Sequence, residues 1–186
     1  MSLRSLQDHF LIAMPAMADP NFSETVTYIC KHDDDGAFGV IVNRPGDLSL
    51  AEVLRQLAIP LTDRTRLDSP VLVGGPVEPE RGFVLHRSTQ NYEGTITPGG
   101  DMKVTVSLDI LTALGRGEGP EPSLVVLGYA GWGRGQLDVE IQQNSWLMVP
   151  ADPAIIFDTP FEQRWAAALG LPGVDIRRIT NYAGHA

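Results

Sequence analysis

The residues best suited to chemistry fall in one stretch, Ser123 to Trp146. An apolar run, Leu124 to Leu127, has the length and β-branched content of a buried strand. Gly128, Gly131, Gly133 and Gly135 follow, then Gln136 to Asn144 with Leu137 and Ile141 four apart. The order predicts strand, glycine loop, helix. Such a loop lets backbone N–H groups approach a ligand at the positive end of a helix. Gly131, Trp132, Gly133, Arg134 and Gln136 are therefore a candidate nest for a small anion, with Arg134 adding a charge-assisted contact. Glu140, one turn on, opposes an anion. The alternative is packing, in which the glycines supply positive φ beside Tyr129 and Trp132.

Three further places complete the ligand-binding set. Gly74 and Gly75 form a second glycine turn after an apolar strand, His86 ends another strand, and Asn43-Arg44 leaves a hairpin. An enzyme of undefined class would need His86, Glu140 and Asn43 to converge on a glycine-loop cleft. Known catalytic spacings argue against it. Gln136 stands where a dinucleotide fingerprint needs its last glycine, and Arg134-Gly135 stands where a phosphate loop needs Lys-Ser/Thr. Gly-x-Ser-x-Gly does not occur. His9, His32, His86 and His185 have no partner at i+3 or i+4, so no helical zinc pair exists and no metal is expected. Cys30 reads as a buried, inert thiol, and alternation puts Lys31 on the face opposite Cys30 and His32. No cofactor is expected.

These groups need a scaffold. Phe10–Met14, Glu24–Lys31, Phe38–Asn43, Pro70–Val73, Phe83–His86, Val104–Val106, Trp146–Val149 and Ala154–Phe157 read as strands. Asp33-Asp34-Asp35-Gly36 makes a hairpin of the second and third, and its acidic tip reads as solvated rather than metal-binding. Pro98-Gly99-Gly100 is a turn signal. Ser49 with Glu52 is a capping box for a helix to Leu57. Ser107 caps a helix ending at Leu114, with Gly115 as its stop. Thr159, Pro160 and Glu162 open a helix that packs Phe161, Trp165 and Leu169 into the core. Strands and helices do not alternate regularly, so the expectation is α+β: a single domain over 1–186 with a mixed β-sheet flanked by a few helices.

The chain has a net charge of −9, two lysines and twelve arginines. A field of that sign repels phosphate backbones, so direct DNA binding is not expected. One cysteine makes no internal disulfide, no apolar run reaches membrane-span length, and Asp8, His9 and Pro15 disqualify the first apolar run as a leader. A cytoplasmic protein without membrane contact is the reading.

The chain resembles the AlgH/YqgE family of bacterial proteins. The resemblance rests on Phe10–Pro15, Asp19-Pro20, Gly36–Gly39, Asn43–Pro45, Gly74–Val77, Gly82–His86, Gly128–Gly133, Gly135–Leu137, Glu140-Ile141, Trp146-Leu147 and Gly184–Ala186. Where the family usually has an acidic residue before His32, this chain has Lys31. The resemblance implies an α+β fold and, from the label some members carry, a transcriptional regulator. Combined with the charge, it implies a regulator acting indirectly, through a small anionic ligand or a protein partner. It carries over no catalytic residues.

Overall fold

A computed structural model describes residues 4–66, 68–175 and 177–179. The fold is α+β: a curled, mixed sheet of ten strands flanked by short helices. Five strands lie in the N-terminal half: β1 (His9–Ala13), β2 (Val26–Asp33), β3 (Gly36–Ile41), β4 (Pro45–Ser49) and β5 (Pro70–Val73). The others are β6 (Val77–His86), β7 (Thr95–Gly99), β8 (Met102–Thr105), β9 (Ser123–Gly133) and β10 (Trp146–Pro150). The order is β10-β1-β2-β3-β9-β6-β8-β7, with β5 pairing parallel to β9 and antiparallel to β4. The helices are α1 (Leu50–Gln56), α2 (Leu108–Gly115), α3 (Gln136–Gln142), α4 (Pro153–Phe157) and α5 (Arg164–Leu169).

β1 shows why its run is continuously apolar. Phe10 and Ile12 face the enclosed core with Tyr28, Val40, Phe83 and Val126. Leu11 and Ala13 face outward, into a second core that α3 covers with Leu137 and Ile141. Both faces are buried, so no polar alternation survives. On the other half of the sheet, α1 and α2 cover Val71, Val84 and Val125 with Leu54, Ile110 and Leu111.

β9 joins the two halves. Its first half pairs with β5 and β6, its last residues with β3. Leu124 and Val126 face the enclosed core, and so does Tyr129, an odd step further. Gly128, at φ +77°, absorbs that step and bends the strand. The expected glycine loop is thus mostly strand. Gly131 pairs with Phe38 and Gly133 with Gly36, leaving only Arg134 and Gly135 as the turn into α3.

Several expectations hold. β2 and β3 form the hairpin with Asp34-Asp35 at its tip, and Ser49 and Glu52 make the reciprocal capping box. Others need correction. The 154–157 run is helix α4, not strand, because Asp152 caps it, accepting from the Ala154 N–H at 3.0 Å, and Pro153 takes the first helical position. Thr159 is no cap: its hydroxyl donates back to Ala154 O, and a 3₁₀ turn (Phe161–Gln163) precedes α5. Phe161, Trp165 and Leu169 are half-buried against the enclosed core, with the Trp165 indole donating to Ala13 O at 3.0 Å. Gly115 lies inside α2, and Gly117, at φ +72°, makes the stop. Pro98 and Gly99 end edge strand β7, and the expected turn falls at Gly100-Asp101, with Gly100 at φ +53°. A bulge between Ile29 and Lys31 interrupts the alternation expected there, while Lys31 and His32 still turn to opposite sides. The carboxy-terminal Gly184–Ala186, with His185, lies outside the described residues.

Candidate functional site

The sequence-selected residues are shared among separate places. Asn43 and Arg44 clasp the preceding loop. Asn43 accepts from Val26 N–H at 2.9 Å and donates to Glu24 O at 2.8 Å. The Arg44 guanidinium donates to the carbonyls of Asn21, Pro20 and Ser23. Gly74 and Gly75 cross β9 backbone to backbone. A Cβ on Gly74 would stand 2.3 Å from Gly128 O, and one on Gly75 2.2 Å from the Tyr129 carbonyl carbon. Only glycine permits that crossing.

His86 is sealed in the sheet with no exposed surface. Thr95 donates its hydroxyl to Tyr92 O, so it must accept from Thr105, 2.7 Å away. Thr105 therefore accepts from His86 Nε2–H, also at 2.7 Å. That tautomer leaves Nδ1 as a buried acceptor without a protein partner. Burial, with a smaller contribution from Lys103, lowers the His86 pKa to about 4. His86 pairs with Ser123 at the start of β9, whereas Glu140 binds Trp132 near its end. Nine residue steps along β9 separate the two, at most about 30 Å at about 3.3 Å per residue. They do not converge on a cleft.

The glycine-rich turn is partly tied down by its own side chains, while Arg134 and Gly135 line a recess with His32 and Asp138. Gln136 accepts from Gly133 N–H at 3.0 Å and donates to Glu140 Oε1 at 3.0 Å. Glu140 Oε2 accepts both indole N–H groups, from Trp132 and Trp146, each at 2.9 Å. Arg134 donates to Asp34 O at the hairpin tip. Cys30 is buried, and burial pushes its thiol pKa up, away from nucleophilic character.

Gly131 and Trp132 meet something different. They line a recess of about 440 Å³, with Lys31, Asp33, Asp35, Phe38, Arg81, Phe83 and Tyr129. Sequence reasoning did not select these last seven. The recess forms where β3, β9 and β6 meet. Phe38, Phe83 and Tyr129 form a three-ring wall with centroids 5.9–6.1 Å apart. Val77 pairs with Tyr129 and Gly82 with Leu127, so Glu78–Arg81 bulges from the ladder. The bulge carries Arg81 over the wall, its guanidinium carbon 5.7 Å from the Phe83 centroid and 6.0 Å from that of Tyr129. Arg81 also pairs with Glu78 at 3.2 Å, and the Glu78 carboxylate raises the Tyr129 pKa by hydrogen bonding. Lys31 pairs with Asp33 at 2.7 Å on the rim, which raises the lysine pKa and lowers that of the aspartate. Arg81 stands two residues before Phe83, the one sequence signal that it shares a face with that ring.

Among the described residues, no group of three or more His, Cys, Asp or Glu side chains could hold a metal ion, and no helix is long and apolar enough to cross a membrane. The family described as AlgH-like matches residues 10–177. A UPF0301 protein of Methylococcus capsulatus is 52% identical over 97% of this chain and 96% of its own. Another, from Xanthomonas campestris pv. campestris, is 49% identical over 97% and 96%. The solution structure of the AlgH protein from Pseudomonas aeruginosa superposes with a TM-score of 0.79 at 49% identity, over 100% of this chain and 98% of that one. A Corynebacterium diphtheriae protein superposes with a TM-score of 0.73 at 19% identity, over 93% and 91%, and shares the fold.

Proposed function

This chain belongs to the AlgH-like family, and from that premise we propose that it is a cytoplasmic regulatory binding protein. It acts indirectly, by holding a small anionic ligand or an anionic segment of a partner at the Phe38–Phe83–Tyr129 recess. The observation that carries this reading is Arg81, lifted by a bulge over the rings of buried Phe83 and half-buried Tyr129. Bulges of this kind re-aim side chains beside sites. A concave aromatic wall with few charged groups at its rim is the usual form of a small-ligand site. Arg81 and Lys31 are paired only with exposed carboxylates, and exposed pairs contribute about 0–1 kcal/mol. An incoming anion that also packs on the rings can replace those partners.

Binding rather than catalysis fits the same geometry. Cys30 and His86 are both sealed away from the recess, and Glu140 is committed to three donors. Indirect regulation fits the charge of −9, which disfavours a phosphate backbone.

The test is thermal unfolding of wild type and Arg81→Ala against a panel of small organic anions, aromatic ones included, and acidic peptides. A ligand at about 100 times its Kd stabilises by about 2.7 kcal/mol. Stabilisation of wild type that Arg81→Ala loses supports the reading. Equal stabilisation of both proteins, or none across the panel, contradicts it.

A further inference from the structure

We propose that the recess takes a flat aromatic ring bearing a phosphate or carboxylate; this rests on the reading of the recess as the binding site and names its ligand class. Four observations lead there. The first is the three-ring wall: Phe38 and Phe83 are inclined by 34°, Tyr129 stands at 79° to Phe38 and 73° to Phe83, and half-buried Phe38 and Tyr129 flank the buried Phe83 ring. A fourth ring can complete such a cluster by stacking or edge contact.

The second is Gly131. A Cβ built there meets only the Tyr129 ring edge, at 3.4 and 3.9 Å, so the wall beside that ring is bare backbone with open space before it. A flat group can lie against the strand where any side chain would hold it off.

The third is Arg81. A guanidinium stacks on rings and offers a planar fork of donors to carboxylate or phosphate. Arg81 already lies over two rings of the wall, so its fork sits where the anionic substituent of a stacked ligand would fall.

The fourth is the acidic lining. Asp33 and Asp35 line the recess, and Glu78 pairs with Arg81. These carboxylates offset Lys31 and Arg81 for a bare anion. A small inorganic anion gains too little here, and a neutral ring leaves the fork unused. The site needs both halves of the ligand at once, and at about 440 Å³ it lies within the common size range of small-molecule sites, about 300–1,000 Å³.

The experiment is isothermal titration of the full chain with AMP and naphthalene-2-carboxylate, and in parallel with inorganic phosphate, acetate and adenosine. Both aromatic anions should give saturable heat, phosphate and acetate none, and adenosine binding at least about tenfold weaker. Gly131→Leu fills the open wall and should abolish binding; Arg81→Gln should weaken it at least about tenfold. Circular dichroism and melting of each variant check the fold, and Arg81, being exposed, gives a readout if Gly131→Leu does not fold. Phosphate binding as well as AMP overturns the ligand class while leaving the recess as the site. So does an absence of heat from both aromatic anions where the anion panel still shows Arg81-dependent stabilisation. Aromatic anions that bind both variants as tightly as wild type overturn the ligand class and its placement in the recess.

Discussion

Trp146 donates its indole N–H to Glu140 Oε2 at 2.9 Å, and Trp132 reaches the same oxygen from the end of β9. One carboxylate thus ties β9, α3 and β10 together. Glu140→Leu should leave two indole donors without a partner, at about 1–3 kcal/mol each where water cannot reach them. A urea titration followed by tryptophan fluorescence measures this directly. A loss under about 0.5 kcal/mol would show the indoles find other acceptors.

The glycines separate into two kinds. Gly74→Ala drives a Cβ onto the Gly128 carbonyl oxygen, backbone that cannot yield. It should cost about 3 kcal/mol or more, or prevent folding. Gly131→Ala meets only the edge of a ring and should stay within about 0.5 kcal/mol of wild type. Equal losses in a denaturant series would refute the crossing as the reason for the paired glycines.

His86 makes stability depend on pH. Its folded pKa of about 4 lies below the ordinary value of 6.5. The unfolded chain therefore binds the extra proton first as pH falls. Its contribution is full above pH 6.5 and is lost progressively as pH drops from 6.5 towards 4. Carboxylates also titrate near the lower end, so the informative quantity is the difference between wild type and His86→Gln. The variant should lose less stability across that window. Parallel curves would mean that His86 titrates in the fold as it does in the unfolded chain.

Purified protein should not bind duplex DNA tightly at physiological salt, because its net charge is −9 and only two lysines are present. A gel-shift series reads this out. Nanomolar, sequence-selective binding would restore a direct regulator.

Much of the fold was legible. The hairpin, the Ser49 capping box and the doubly buried β1 run follow from turn chemistry and apolar pattern, which are local. The 154–157 run was misread because four apolar residues fit a buried strand or a buried helix equally. Only Asp152-Pro153 decides between them. The site was less legible for two reasons. Glycines at 128, 131 and 133 look like one ligand loop, but Gly128 answers a backbone crossing and a change of strand phase that exist only in three dimensions, while Gly131 and Gly133 are strand residues paired with β3. Arg81 meets Tyr129 through a bulge of β6, and Phe38 joins that wall through the pairing of β3 with β9, neither of which a single stretch of sequence displays. The Gln136–Glu140 spacing was visible as four residues, yet its purpose depends on Trp132 and Trp146 arriving from different strands.

The central claim is that the binding surface is the aromatic recess and that the turn from Gly133 to Gln136 is structural. Amide chemical-shift mapping of the full chain during titration with AMP tests both parts at once. The largest changes should fall at Lys31, Phe38, Arg81, Phe83, Tyr129 and Gly131, with Arg134 and Gly135 little moved. Changes centred on Gly133, Arg134, Gly135 and Gln136, with the recess unmoved, would contradict it.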